Sequence, residues 1–88
     1  MTDDRTAVLA RLTDFVREAL LDPEQAQVLT PQTSLRGWGV LNSLGMTRLI
    51  AFIRDDLGTE IPLRDLTGGN FRSLDDITNL VLSARQTV

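Results

Sequence analysis

Apolar residues fall into three long stretches at helical spacing, separated by segments where that spacing is lost. From residue 4 to about 20 they recur at Val8, Leu9, Leu12, Phe15, Val16 and Ala19, three and four positions apart, while Arg11, Asp14, Arg17 and Glu18 fall on the other side. This spacing predicts an amphipathic helix over 4–20, capped by Asp3 or Asp4. The Asp14/Arg17 pair adds about 0.2–0.5 kcal/mol at most, so the apolar stripe decides where the helix sits. A second stripe, roughly 43–57, places Met46, Leu49, Ile50, Ile53 and Leu57 toward the core, with Gly58 as its C-terminal stop. The third begins at a Ser73 cap and runs through Leu74, Ile77, Leu80, Val81 and Ala84, with Asp76 at the capping-box position. Residues 86–88 are expected to fray.

Between Leu21 and Asn42 the periodicity is absent for roughly 20 residues, long for a connection within a compact domain. Val28, Leu29, Leu35, Trp38, Val40 and Leu41 are apolar anchors that a flexible linker does not need, so an ordered loop laid across the helices is expected, with Trp38 packed on the bundle. Asp22-Pro23-Glu24-Gln25 combines a cap, a proline at the first helical position and a glutamine at the third, which predicts a short helical turn. Thr30 precedes Pro31 and is biased away from helix. Gly37 and Gly39 permit positive φ and so a sharp approach to residue 43. After the second stripe, Pro62 opens a short helical turn over Leu63–Leu66 that Thr67-Gly68-Gly69-Asn70 ends, and Phe71 plugs the core. No segment alternates as a strand does. The expected architecture is all-α: one domain over 1–88, a small four-helix bundle of three long helices and one short, with a long ordered loop between the first two long helices.

Composition then narrows the chemistry. An 88-residue chain that is 42% hydrophobic buries only somewhat above ~60% of the surface its unfolded form exposes, which leaves little room for a deep pocket. Cys and His are absent, and all nine basic residues are arginine. Disulfides, most nucleophile–base pairs, most transition-metal sites and lysine Schiff bases are thereby excluded. A net charge of −3 argues against nucleic-acid binding. No run approaches the ~18 apolar residues of a membrane span, and Met1-Thr2-Asp3-Asp4 is too acidic for a secretory leader, so a cytoplasmic protein is expected.

The most informative residue is Ser43, where the irregular loop meets the second stripe. A serine before a helical stripe ordinarily caps the helix. Asn42 caps at least as well, so two capping residues stand side by side and one is redundant. With Asn42 as the cap, Ser43 presents its hydroxyl to solvent, and a group attached there through a phosphate meets free backbone N–H donors and the positive end of the helix dipole. Phosphorylation fits the same electrostatics. A catalytic serine lacks a base and a Gly-x-Ser-x-Gly elbow. At 100° per residue, Leu44, Arg48, Ala51 and Asp55 lie opposite the core face, so Leu44 is expected to be an exposed leucine beside Ser43.

Leu41-Asn42-Ser43-Leu44, followed by Leu49-Ile50 and Ile53, Leu57-Gly58, Ile61-Pro62, Asn70-Phe71, Ser73-Leu74, Ile77 and Val81, resembles the acyl and peptidyl carrier proteins over nearly the whole chain. The resemblance implies that Ser43 is modified by a phosphopantetheinyl transferase, which uses coenzyme A to attach a 4′-phosphopantetheine arm whose thiol carries cargo as a thioester. It also implies that Asn42, Leu44, Arg48 and Ala51 lie on the surface partner enzymes read. The partners expected are a loading enzyme, either an adenylation enzyme or an acyltransferase, and downstream transfer enzymes, with no nucleic acid and no membrane; a chain of this length has no room for a fused adenylation or ketosynthase domain, so a freestanding, non-catalytic monomer is expected. Such carriers usually have Asp where this chain has Asn42, a departure that bears on transferase recognition. Arg48 and Arg54 balance Asp55 and Asp56, unlike the strongly acidic fatty-acid carriers, and this leans toward specialised-metabolite (polyketide or nonribosomal peptide) biosynthesis, including antibiotic-type products. The competing expectation is a helical adaptor in which Ser43 is only a cap.

Overall fold

A computed structural model describes residues 4–86. Helix α1 (Asp4–Phe15) continues directly into a π turn (Val16–Leu20). Helices α2 (Pro23–Val28), α3 (Ser43–Asp55) and α4 (Leu74–Gln86) follow, and two 3-10 turns (Leu63–Asp65 and Gly68–Phe71) connect α3 to α4. No strand occurs among the described residues. The all-α bundle with three long helices is as expected, and its short α-helix is α2, inside the long loop. The Leu63–Leu66 segment forms only a 3-10 turn, and Gly68–Phe71 forms a second one where a plain stop was expected. Asn70 links the two, its N–H bonding the Thr67 carbonyl (3.1 Å) and its side-chain amide the Asp65 carbonyl (2.8 Å). The Asp3 alternative for the first cap and positions 87 and 88 of the fraying tail lie outside the described residues.

The core is built from the three stripes and the loop. Val8, Leu12 and Val16 of the first helix meet Leu49, Ile53 and Leu57 of the second stripe and Leu74, Ile77, Leu80 and Val81 of α4, with Leu35 and Phe71 filling the centre. Three expected core positions, Ala19, Met46 and Ile50, behave differently. The π turn carries one extra residue, so the Val16 carbonyl accepts from Leu21 N–H (3.1 Å). That rotation brings Leu20 onto the core and leaves Ala19 exposed. On α3 the buried seam is Gly45, Leu49 and Ile53, and Met46 and Ile50 are half-buried at its edge. The cause is the loop, whose Val40 carbonyl presses so closely on Gly45 that a Cβ there would stand 2.2 Å from it.

The segment 21–42 is ordered, as its anchors implied. Asp22 caps α2 through a complete capping box, accepting from Gln25 N–H (2.8 Å) while the Gln25 side chain accepts from Asp22 N–H (3.3 Å). Pro31 gives its carbonyl to Asp75 N–H in the first turn of α4 (3.0 Å), and Leu35 N–H bonds the Arg72 carbonyl (2.9 Å). Arg5 of α1 binds Asp75 (2.9 Å) and Asn79, and the Gln32 side chain reaches the other Asp75 oxygen (2.8 Å). Leu29, Leu35, Val40 and Leu41 pack inward, whereas Val28, at the end of the short α2, is 63% exposed. Trp38 is half-buried and is not among the described residues packed on the core, because Leu35 reaches inward from the same 34–40 turn. Only Gly39 of the glycine pair uses positive φ (71°).

Gly58 (φ 62°) ends the second stripe and lets Thr59 N–H return to the Ile53 carbonyl (3.1 Å). Ser73 accepts from Asp76 N–H (3.3 Å), but the Asp76 carboxylate turns to Arg72 (3.7 Å) instead of closing the box.

Candidate functional site

The chain reaches Ser43 through the 34–40 turn, in which Gly37 N–H bonds the Ser34 hydroxyl (3.0 Å) and Gly39 N–H the Arg36 carbonyl (3.0 Å). Val40 then lies against Gly45, and this contact fixes the angle at which the loop enters α3. Asn42 is the cap. Its backbone is extended, its side-chain oxygen accepts from Gly45 N–H (2.9 Å), and its carbonyl accepts from Met46 N–H (2.8 Å). Ser43 is therefore the first helical residue, with its side chain free of any capping duty.

The four serines of the chain differ in this respect. The hydroxyls of Ser34 and Ser73 accept backbone N–H groups, and Ser83 is engaged as well. The Ser43 hydroxyl makes no hydrogen bond among the described residues, and the residue is exposed. The N–H groups of Ser43 and Leu44 have no intrahelical acceptor, as the geometry of a helix start requires. No acidic residue stands in the first turn of α3. A phosphodiester on Ser43 thus fits its surroundings: free donors, the positive end of a 13-residue helix and no carboxylate to repel it.

The neighbours named from the sequence share this side of α3, with one adjustment. Leu44 is 64% exposed, as expected. Arg48 is exposed and donates to the Ala19 carbonyl (3.5 Å), so it also covers the negative end of the first helix. Ala51 is half-buried instead of fully outward, because the end of α1 lies alongside α3 and the two share a groove. Phe15 and Phe52 stack at its base, with ring centroids 4.4 Å apart and planes at 17°. Farther along, Arg54 and Asp55 pair at 3.1 Å, and that hydrogen bond raises the Arg54 guanidinium above its ordinary value. The face is charge-balanced in consequence.

The sequence reading missed Gly45. Its signal was a glycine inside a helical stripe, a costly residue there unless a backbone must come close. It also missed Arg85, which donates to the Leu57 carbonyl (2.9 Å) and Thr59 hydroxyl (3.0 Å) and secures the end of α3 from α4. No helix of the described residues is long and apolar enough to cross a membrane.

No curated protein sequence matches the chain. The model of the phosphopantetheine attachment site family matches residues 10–81, from within α1 to within α4. Members of that family bear a 4′-phosphopantetheine group, are generally carriers without catalytic activity of their own, and interact with a phosphopantetheinyl transferase and with other enzymes. A match over most of the chain, on a strand-free small helical bundle, means that this protein belongs to the phosphopantetheine attachment site family of carrier proteins.

Proposed function

We propose that Ser43 bears the phosphopantetheine arm, and that the protein holds an acyl or aminoacyl intermediate as a thioester on it and presents it to enzymes of polyketide or nonribosomal peptide biosynthesis. One observation carries the assignment: Asn42 performs the capping, and Ser43 is left as an exposed hydroxyl with no hydrogen-bond partner at a helix N-terminus. The arm supplies the thiol that a chain without cysteine lacks. Ser43 contributes the oxygen that bonds the phosphorus on the pantetheine side of coenzyme A as the phosphoanhydride breaks and adenosine 3′,5′-bisphosphate leaves, and its proton passes to the transferase, since no His or Lys is present here. The N–H groups of Ser43 and Leu44 and the helix dipole then hold the phosphodiester.

The charge-balanced face with Leu44 at its apolar point supports partners that dock by apolar and mixed contacts, in place of partners built around a basic patch. Asn42 keeps the cap and omits the carboxylate, which selects against transferases that pair with a charge at that position. Incubation with coenzyme A and a broad-specificity transferase, followed by intact-protein mass spectrometry, is expected to show one phosphopantetheine added to the wild type and none to Ser43→Ala. An unmodified wild type, or a modified Ser43→Ala, removes the assignment and returns the adaptor reading.

A further inference from the structure

Two adjoining clefts share Ala19 and Arg48 and make one groove between the end of the first helix and the outer side of α3. The part beside Ser43, about 250 Å³, is bordered by Leu20, Val40, Asn42 and Leu44. The larger part, about 570 Å³, has Phe15, Ala51 and Phe52 at its base and Glu18, Asp55 and Asp56 on its rim. The groove is therefore polarised along α3: the helix N-terminus lies beside Ser43, Arg48 stands where the two parts join, an apolar stretch follows, and the carboxylates of Asp55 and Asp56 stand at the far end. Asp55 is shared with Arg54, whereas Glu18 and Asp56 have no cationic partner among the described residues.

Lengths agree with this polarity. At 1.5 Å per residue, Ala51 and Phe52 lie about 12–14 Å along the axis from Ser43, and Asp55 about 18 Å. An extended pantetheine chain, at the reach per bond of an extended peptide, spans roughly 15 Å. Resting on the reading of Ser43 as the attachment residue, we infer that this groove receives the distal half of the arm and favours an aminoacyl cargo with a free ammonium group. The helix start then faces the phosphodiester anion. Phe15 and Phe52 contact the thioester region, and Asp55, Asp56 and Glu18 face the ammonium, which also gains from the aromatic faces. A neutral acyl group has only the apolar base to contact, and a carboxylated one is repelled by the rim.

The test loads isotope-labelled protein from two stable amide analogues of coenzyme A thioesters, one alanyl and one propionyl, which differ only in the amino group. Intact mass first establishes the adduct. Amide resonances of Glu18, Ala51, Phe52, Asp55 and Asp56 are then expected to shift with the alanyl load and much less with the propionyl load. The double variant Asp55→Asn/Asp56→Asn is expected to reduce the alanyl-bound population roughly two- to fivefold, the range for exposed ion pairs. It should remain folded, because removing negative charge at the end of α3 suits the helix dipole. Equal shifts from both loads, or shifts confined to residues 41–46, overturn the inference and leave the attachment residue standing. Absence of any adduct overturns both.

Discussion

Residues 42, 43 and 45 each carry a separate task in a stretch of four. Asn42 satisfies the Gly45 N–H, so Asn42→Ala is expected to lose about 1 kcal/mol, a fall in Tm of roughly 4–8 °C for a domain of this size. Ser43→Ala removes no capping bond and should stay within about 0.5 kcal/mol of wild type in the same thermal melt while losing the phosphopantetheine adduct. A comparable loss from both variants would mean that the capping has been assigned to the wrong residue. Gly45→Ala sets two effects against each other. Alanine gains about 1 kcal/mol of helix propensity, but its Cβ would meet the Val40 carbonyl at 2.2 Å, a backbone atom that cannot swing aside. Overpacking of this kind costs about 1–3 kcal/mol, so we expect net destabilisation, measurable by urea denaturation, where an ordinary helical glycine would show stabilisation.

At the scale of elements, the 21–42 segment depends on a few attachments. Leu35 is fully buried and its N–H is bound to the Arg72 carbonyl, so one residue ties the loop to both the core and the entrance of α4. Leu35→Ala is expected to cost about 2–5 kcal/mol, a large share of the stability of so small a domain, whereas Val28→Ala should change it by less than about 0.5 kcal/mol. Chemical denaturation of the two variants side by side checks the contrast. The π turn at the end of the first helix has its own consequence: it exposes Ala19, whose carbonyl Arg48 then covers. Arg48 thus has a structural contact as well as its proposed place on the partner face, and its substitution mixes the two effects.

For the whole molecule, a Cα radius of gyration of 12.2 Å agrees with the ~12 Å of a compact chain of this length, and the core is one contiguous cluster. So small a body buries a modest core, and the residues singled out around Ser43 lie on its outer side and in a groove along α3. Leu44 is the cleanest probe of that face, because it is exposed and absent from the core cluster. Leu44→Glu is expected to lower the rate of phosphopantetheine attachment or of cargo transfer several-fold, about 1 kcal/mol or more of interaction, with the circular dichroism spectrum unchanged. Wild-type rates at every step would move the partner face elsewhere.

Helical periodicity reports on each helix alone, and for that reason Leu12, Leu49, Ile53, Ile77 and Val81 were legible as core, and Asn42 beside Ser43 was legible as a redundant pair of caps. The sequence by itself therefore determined the order of the three long helices, the capping of α2, the position of Ser43 at a helix start and the exposure of Leu44. What it left open depends on contacts between segments distant in the chain. The seam of α3 turned toward Gly45 because Val40 presses on it, Leu35 and not Trp38 became the central loop anchor, Ala19 left the core through a π turn, and Ala51 became part of a groove because Phe15 stacks on Phe52. Local spacing encodes which face of a helix is apolar; only the packed structure decides what comes to rest against it.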